Sequence, residues 1–260
     1  MLSIGLGLAK DIAAIARRAG AEIMKIYETD FEVKTKGDNS PVTQADRIAE
    51  KIISRAISEG ITSNFPIVAE EAATEGLLPN VSSTAFWLVD PLDGTKEFIH
   101  RNGEFTVNIA LIENSKPVLG VVHLPVKNLT YFGFNMGSFL MDNEEPRKEI
   151  SCRIKPKNGL VALVSRSHIS PETDSYLANH TIVNTISAGS SLKFCMIAEG
   201  IADIYPRIGR TMEWDTAAGH AILRFAGGSV RTIDGFELTY GKPGFENPQF
   251  IAAGPGETQN

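Results

Sequence analysis

Segment 87–95, with the sequence WLVDPLDGT, carries two aspartates where a short apolar run ends. Asp90 closes the run, Pro91 takes the chain out of regular strand geometry, and Asp93 precedes a glycine that permits a tight turn. Two carboxylates and the backbone carbonyl of Leu92 can then converge on one point. Oxygen ligands of this kind suit a hard cation such as Mg²⁺. Taken alone, however, Asp-x-x-Asp-Gly is more often a simple turn with aspartate caps.

Other acidic residues also lie where a predicted element begins or ends. Glu70 and Glu71 follow the apolar run 65–69, Asp46 closes a TQAD motif that resembles a helix capping box, and Asp215 stands at a predicted helix N-cap. Solvation or helix capping would explain each acid by itself. Because element ends gather in one crevice of an open α/β sheet, we expect these acids to share one site.

The elements that would position these acids follow from hydrophobic periodicity. Apolar residues at three- and four-residue steps predict helices, and short apolar runs predict strands. The predicted helices are 3–28, 43–60, 190–199 and 215–225. The predicted strands are 65–69, 86–89, 105–112, 118–124, 130–134, 138–141, 160–164, 181–186 and 201–205, with a final hairpin turning at Asp234 and Gly235. This alternation predicts an α/β layered fold.

Composition narrows the class of partner. The 260 residues include 25 Lys and Arg against 31 Asp and Glu, a formal net charge of −6. Duplex nucleic acid requires a basic face, so we exclude nucleic acid polymers as partners, whereas a small phosphorylated substrate remains compatible if a metal supplies positive charge. The two cysteines form no CxxC motif and fit a reducing cytoplasm. The apolar N-terminus lacks the pattern of a signal peptide or a transmembrane segment.

Two long motifs, VDPLDGT at 89–95 and WDTAAG at 214–219, resemble the paired signature of the inositol monophosphatase superfamily. The resemblance extends over nearly the whole chain and is closest to the CysQ-type 3′(2′),5′-bisphosphate nucleotidase branch, through segments 98–110 and 189–195. It implies an α/β layered sandwich with alternating α-β-α-β-α layers. It also implies a Mg²⁺-dependent, lithium-sensitive phosphomonoesterase that uses two or three ions.

The same resemblance assigns roles to individual residues. It implies that the metal is held by four carboxylates and one backbone carbonyl, those of Glu70, Asp90, Asp93, Asp215 and Leu92. Asp46 and Thr95 become the pair that orients and activates the attacking water, and Glu71 lies behind the ligands. Substrate contacts are implied for Glu70, Asp93, Gly94, Thr95, His168, Ser190, Lys193, Arg207 and Asp215. Most ligands thus fall in an N-terminal subdomain, 1–150, and the nucleotide contacts in a C-terminal subdomain, 151–260, of one structural unit.

Lys193 and Arg207 indicate the substrate. A nucleotide with two phosphates needs one at the metals and one held by fixed cations, and Ser190 opens a predicted helix whose N-terminal amides favour an anion. By resemblance, these three residues contact the adenosine and 5′-phosphate part, and His168 lies near the base. We therefore predict release of the 3′-phosphate of adenosine 3′,5′-bisphosphate, with its 5′-phosphosulfate analogue as a second substrate. Such an activity would clear a by-product of sulfur metabolism.

Two alternatives stay open. An inositol or sugar monophosphate phosphatase would share every metal ligand but would not need Lys193 and Arg207. A non-catalytic metal or nucleotide sensor would have lost a ligand or the water-activating pair, whereas this sequence retains all of them. The sequence also leaves open whether the chain is a monomer or a homodimer, and whether a cytoplasmic enzyme associates peripherally with the inner membrane.

Overall fold

A computed structural model describes residues 2–35, 41–81, 85–142, 148–166 and 171–256 of the chain. The helices are α1 (Leu6–Tyr27), α2 (Gln44–Gly60), α3 (Glu70–Thr74), α4 (Thr95–Ile99), α5 (Pro171–Leu177), α6 (Leu192–Ala198) and α7 (Glu213–Phe225). The strands are β1 (Val33–Thr35), β2 (Pro41–Thr43), β3 (Ile67–Ala69), β4 (Ala85–Asp93), β5 (Thr106–Glu113), β6 (Lys116–Leu124), β7 (Leu129–Phe134), β8 (Gly137–Asp142), β9 (Lys148–Ile150), β10 (Leu160–Ser165), β11 (Ile182–Ala188), β12 (Ile204–Arg207), β13 (Ser229–Thr232) and β14 (Phe250–Ala253).

Two mixed sheets form the framework. The larger sheet has the order β3-β4-β5-β6-β7-β8-β9, in which β3 and β4 are parallel and every later pair is antiparallel. The smaller sheet has the order β11-β10-β12-β14-β13, with parallel pairing on both sides of β10 and antiparallel pairing on both sides of β14. Strands β1 and β2 form a separate antiparallel pair.

The apolar residues divide into three clusters that define the layers. One cluster joins α1 and α2 to one face of the larger sheet. A second joins α6 and α7 to the other face of that sheet and to the smaller sheet. The third includes Leu177 of α5 and the outer face of the smaller sheet. The order is therefore helices, sheet, helices, sheet, helix, as predicted, because each sheet buries both of its faces.

Helix α7 lies unusually close to the larger sheet. A Cβ atom at Gly120 on β6 would lie 2.3 Å from the carbonyl oxygen of Ala218, and one at Gly133 on β7 would lie 2.7 Å from the Cα of Ile222. Glycine is needed at these positions because any side chain would push the helix away. The first turn of α7, which carries Asp215, is thereby held at a defined height above the sheet.

Some sequence predictions need correction. Strand β9, at Lys148–Ile150, was not predicted and pairs with β8 as the last strand of the larger sheet. The turn at Asp234 and Gly235 is present, with hydrogen bonds from Gly235 N to Thr232 O and from Thr232 N to Phe236 O. However, the strand paired with β13 is β14, and only an isolated bridge joins Arg231 to Glu237. Strand β9 was not predicted because two of its three residues are charged and it lacks the apolar run on which strand prediction depends.

The proposed division near residue 150 stays a prediction. The larger sheet ends at Ile150 and the smaller sheet begins at Leu160, while α7 belongs to the second half of the chain and packs on both sheets. Within the described ranges, none of the helices is both long enough and apolar enough to cross a membrane.

Candidate active site

Strand β4 brings its two aspartates to the same end of the sheet through a local irregularity. Asp90 pairs with Asn108 and Asp93 with Thr106 on β5, and the register shifts between these two pairs. The sequence predicted that Pro91 ends regular strand geometry, and the strand does bulge there before pairing resumes at Asp93. Gly94 then adopts a left-handed φ of 91°, and α4 begins directly after it. A bulge of this kind re-aims side chains next to a site.

The other acids reach this place from neighbouring elements. Strand β3 is parallel to β4, so α3 begins with Glu70 at the edge where β4 delivers Asp90. Asp215 lies in the first turn of α7, and its Oδ2 accepts a hydrogen bond of 2.8 Å from the backbone N–H of Met212. The prediction that Asp215 is the N-cap was therefore wrong by three positions, because Met212 occupies that place and Asp215 caps from within the helix.

One cavity of about 720 Å³ brings the predicted residues together. Its lining includes Glu70, Asp90, Leu92, Asp93, Gly94, Thr95, Ser190, Lys193, Arg207 and Asp215. Asp46 is not among the lining residues and reaches the cavity through Thr95. His168 lies outside the described residues, so its predicted position near the base stays a prediction. Residues from both halves of the chain thus face the same space.

Burial and mutual repulsion raise the pKa of the clustered acids. Loss of hydration raises the pKa of Asp90 well above its usual range, and the charges of Glu70, Asp93 and Asp215 raise it further. Burial likewise raises the pKa of Asp215, helped by the charges of Asp93 and Glu70. Burial raises the pKa of Asp93 to about 6, although the nearby charge of Lys193 opposes the rise. The cavity wall therefore concentrates negative charge that favours a bound cation.

The donor set of this wall fits a divalent metal ion. Asp90 and Glu70 are joined by a hydrogen bond between their carboxyl groups. The candidate metal ligands on this wall are all carboxylate or carbonyl oxygens, which suit Mg²⁺. In the described part of the chain, no three His, Cys, Asp or Glu side chains are gathered into a ready-made metal site. Carboxylates that repel one another surround the cavity instead, and a cation at its centre would offset that repulsion.

Asp46 and Thr95 form a hydrogen-bonded pair. The Oγ1 of Thr95 donates to Asp46 Oδ1 at 3.3 Å and lies 3.4 Å from the carbonyl oxygen of Leu92. The other carboxylate oxygen of Asp46 accepts hydrogen bonds from the N–H and hydroxyl of Thr43, at 2.9 and 2.7 Å. Asp46 therefore completes the predicted capping box of α2 and contacts Thr95 at the same time. The two interpretations of this acid are compatible, because each uses a different oxygen.

Lys193 and Arg207 differ in what they can offer a ligand. Lys193 is 3% exposed, and its ammonium donates to the carbonyl oxygens of Ala188 and Ser190 at 3.2 and 2.6 Å. Burial lowers the pKa of Lys193 to about 8. Arg207 donates through Nη2 to Arg210 O at 3.0 Å, whereas its buried Nε has no hydrogen-bond partner among the described residues. Arg207 lines the cavity with a guanidinium whose donors are not all used, and such a group favours an anionic ligand.

The backbone N–H at the start of α6, where the sequence predicted anion binding, is occupied by a hydrogen bond within the protein. The backbone N–H of Ser191 donates to Asp93 Oδ2 at 2.6 Å, so it serves a carboxylate of the chain rather than a substrate. Ser190 has a left-handed φ of 43°, and its hydroxyl donates to the carbonyl oxygen of Glu104. Glu104 also accepts the N–H of Gly189 and pairs with Arg166. This contact ties the two halves together beside the cavity.

Two acidic residues behind the site, Glu50 and Glu213, were not predicted from the sequence. Glu50 on α2 accepts the N–H groups of Glu71 and Ala72 at 2.7 and 3.0 Å and so caps α3. Burial raises the pKa of Glu50 to about 7. Buried Glu213 likewise accepts the N–H groups of Gly241 and Lys242. No local pattern identifies these acids, because their partners lie more than 20 residues away.

The clustered acids are expected to stabilise the metal-free protein less as the pH rises from about 4 to 7. The folded chain keeps protons on Asp90, Asp93 and Asp215 to a higher pH than the unfolded chain, so the stabilisation is complete below about pH 4 and is lost through the raised pKa values. For Asp93, a rise from 3.8 to about 6 corresponds to about 3 kcal/mol. Burial lowers the pKa of His123 to about 4 and that of His220 to about 3, so these histidines favour the opposite trend. Thermal unfolding of the wild-type protein and of Asp93→Asn in EDTA across this pH range isolates the effect of the acid, because the histidines contribute equally to both.

Added Mg²⁺ should reverse this trend. We expect it to raise the Tm strongly at pH 7.5 and little at pH 4.5, where protons compete for the carboxylates. If the metal-free Tm of Asp93→Asn did not gain on that of the wild-type protein between pH 4.5 and 7, the electrostatic description of the site would be contradicted.

The chain is similar to known proteins over nearly its full length. Residues 8–257 match the model of the inositol monophosphatase family. The 3′(2′),5′-bisphosphate nucleotidase CysQ of Escherichia coli K12 is 44% identical over 243 residues, which cover 92% of this chain and 96% of that protein. The corresponding CysQ of Haemophilus influenzae is 30% identical over 98% of this chain and 95% of that protein.

Solved structures agree in fold. CysQ from Bacteroides thetaiotaomicron, described as a bacterial member of the inositol monophosphatase family, has a TM-score of 0.82 at 40% identity and covers 98% of this chain and 99% of that chain. An IMPase from Thermotoga maritima has a TM-score of 0.78 at 25% identity, with 95% of this chain and 92% of that chain covered. These likenesses confirm the predicted fold class.

Proposed function

The chain belongs to the inositol monophosphatase family, and from this premise we propose that it removes the 3′-phosphate of adenosine 3′,5′-bisphosphate to give AMP and phosphate. One observation carries the proposal: four carboxylates and an arginine with an unpaired buried Nε face the same cavity. The acidic wall suits a metal-bound phosphate, and the arginine suits a second anionic group. The free thiols of Cys152 and Cys195 support a cytoplasmic location.

The acids on the cavity wall would hold two or three Mg²⁺ ions. The proposed ligands are the side chains of Glu70, Asp90, Asp93 and Asp215 with the carbonyl oxygen of Leu92. Bound Mg²⁺ would polarise the phosphate, lower the pKa of the attacking water and stabilise the departing 3′-oxygen. The mutual repulsion that raises the pKa of Asp90 and Asp215 supports this assignment, since cation binding relieves it.

Thr95 and Asp46 move the proton of the attacking water. The water proton passes to Thr95 Oγ1 while the hydroxyl proton of Thr95 passes to Asp46 Oδ1, along the hydrogen bond that joins the two side chains. The water oxygen then forms the new bond to phosphorus, the bond between phosphorus and the 3′-oxygen breaks with its electron pair left on that oxygen, and a proton from solvent completes the 3′-hydroxyl of AMP. Asp46 is 1% exposed and held by Thr43, so it keeps its orientation during this transfer.

Arg207 is the proposed partner of the second phosphate. Its buried Nε is a donor without a partner within the described residues, and Arg207 lines the cavity from the second half of the chain. Lys193 contributes positive charge to the same wall and holds the carbonyl of Ser190, so its contact with substrate is less direct than that of Arg207. Ser190 and His168 complete the proposed nucleotide contacts.

A substrate panel tests this function. We expect Mg²⁺-dependent phosphate release to be faster from adenosine 3′,5′-bisphosphate than from inositol 1-phosphate or fructose 1,6-bisphosphate, with inhibition by lithium. The comparison is made at equal substrate concentrations and with the 5′-phosphosulfate analogue included. Faster release from inositol 1-phosphate would overturn the proposed substrate, and no Mg²⁺-dependent release from any of them would overturn the enzymatic function.

The variant Arg207→Gln separates the two phosphate positions. Loss of a charge-assisted hydrogen bond of about 1.5–3 kcal/mol should raise the KM for the bisphosphate about tenfold to a hundredfold. Release from a substrate with one phosphate should change little. Arg55→Gln is the matched control, because Arg55 is an exposed arginine paired with Glu59 on α2. An equal loss on both substrates would assign Arg207 to the reacting phosphate instead.

A further inference from the structure

A buried polar network lies directly behind the Asp93 carboxylate. Asn108 on β5 donates through Nδ2 to Asp93 Oδ2 at 3.3 Å. Its Oδ1 accepts hydrogen bonds from the hydroxyls of Thr106 and Ser191, at 3.0 and 2.6 Å. The two hydroxyls also lie 3.0 Å from each other. We propose that Asn108 is a positioning residue for Asp93, kept in place by Thr106 and Ser191.

The chemistry of the groups sets the direction of this amide. An ionised carboxylate only accepts hydrogen bonds, so the amide nitrogen of Asn108 must face Asp93. The amide oxygen then faces the two hydroxyls, and each can donate a hydrogen bond to it. Every group in the network finds a partner in this arrangement, which is the condition under which a buried polar network orders its members.

Burial shields the network from water. Thr106, Asn108 and Ser191 are 0%, 1% and 2% exposed. None of the three is among the described residues that line the cavity, so none is placed to contact the substrate. The influence of Asn108 on the reaction must therefore pass through Asp93.

The network lies between the two halves of the chain, so both halves hold the Asp93 carboxylate. Asp93 Oδ2 accepts one hydrogen bond from β5, through Asn108, and a second from the backbone N–H of Ser191, just before α6. Two donors from separate elements restrict rotation of the carboxylate. Residues that orient a ligand in this way commonly change metal affinity by about 10–100-fold when removed. The inference rests on the proposed role of Asp93 as a metal ligand.

The test is Mg²⁺ binding to metal-free protein, measured by titration calorimetry on Asn108→Leu and Thr106→Val. Leucine matches the shape of asparagine, and the hydroxyls of Thr106 and Ser191 can still pair with each other. We expect the Mg²⁺ Kd of Asn108→Leu to rise about 10–100-fold. Thr106→Val, which removes one hydroxyl at nearly constant shape, should raise it about 2–10-fold. In both variants, high Mg²⁺ should restore kcat.

Ser138→Ala is the matched structural control. Ser138 is a fully buried serine on β8 whose hydroxyl donates to Ile222 O at 2.6 Å. The variant Ser138→Ala should lower the Tm without changing the Mg²⁺ Kd. Wild-type Mg²⁺ affinity in both network variants would overturn the inference, and if Asn108→Leu does not fold, Thr106→Val alone decides. Failure of the wild-type protein to bind Mg²⁺ would instead overturn the proposed function.

Discussion

The variant Asp93→Asn is expected to release 3′-phosphate about 10³-fold more slowly than the wild-type protein while keeping its fold. Stabilisation of phosphoryl charge by metal ions is worth several kcal/mol, and a loss of about 4 kcal/mol corresponds to this factor. Asparagine keeps an oxygen that can accept the N–H of Ser191 but removes the charge that a cation needs. Steady-state kinetics over a range of Mg²⁺ concentrations measures the change.

Thermal unfolding of the same variant supplies an independent readout. Because burial raises the pKa of Asp93 to about 6, the ionised carboxylate destabilises the metal-free protein at neutral pH. We expect Asp93→Asn to raise the metal-free Tm at pH 7.5 and to diminish the increase that Mg²⁺ causes. Glu59→Gln, at an exposed position on α2, is the control for loss of one negative charge. Near-normal phosphate release by Asp93→Asn would refute its role as a ligand.

The variant Thr95→Val should lower kcat by about 10²–10⁴-fold, the usual contribution of a positioned proton-transfer group. Valine has nearly the shape of threonine but cannot pass a proton between the attacking water and Asp46. Among the described residues, the hydroxyl hydrogen-bonds to Asp46 Oδ1 and the Leu92 carbonyl at the long distances of 3.3 and 3.4 Å, so stability should change little. The measurement is kcat at saturating Mg²⁺ and substrate, together with the Tm.

Thr95→Ser is the conservative comparison. Serine keeps the hydroxyl, so we expect it to recover most of the activity lost in Thr95→Val. Asp46→Asn is less informative, because Asp46 also accepts two hydrogen bonds from Thr43 at the start of α2 and its loss would affect the helix. If valine and serine at position 95 gave equal rates close to wild type, the proton would have to leave by another route.

Much of this protein could be predicted because the decisive signals are local. The bulge at Asp90 and Asp93 follows from a proline and a glycine close together in sequence, and the capping box at Asp46 follows from four consecutive residues. Apolar periodicity located the main helices and most strands of both sheets. It missed β9, whose three residues include Lys148 and Glu149, because pairing with β8 rather than hydrophobicity holds them in the sheet.

The sequence by itself determined the acid-rich element ends, the layered α/β fold and the family resemblance, since all depend on residues near one another along the chain. Only the tertiary structure decided what stands behind those acids. Glu50 caps α3, Asn108 donates a hydrogen bond to Asp93, and the ammonium of Lys193 donates to two backbone carbonyls. Hydrogen bonds such as those of Glu50 and Ser191 join residues 21 to 98 positions apart, and their formation depends on how the packed layers bring those positions together.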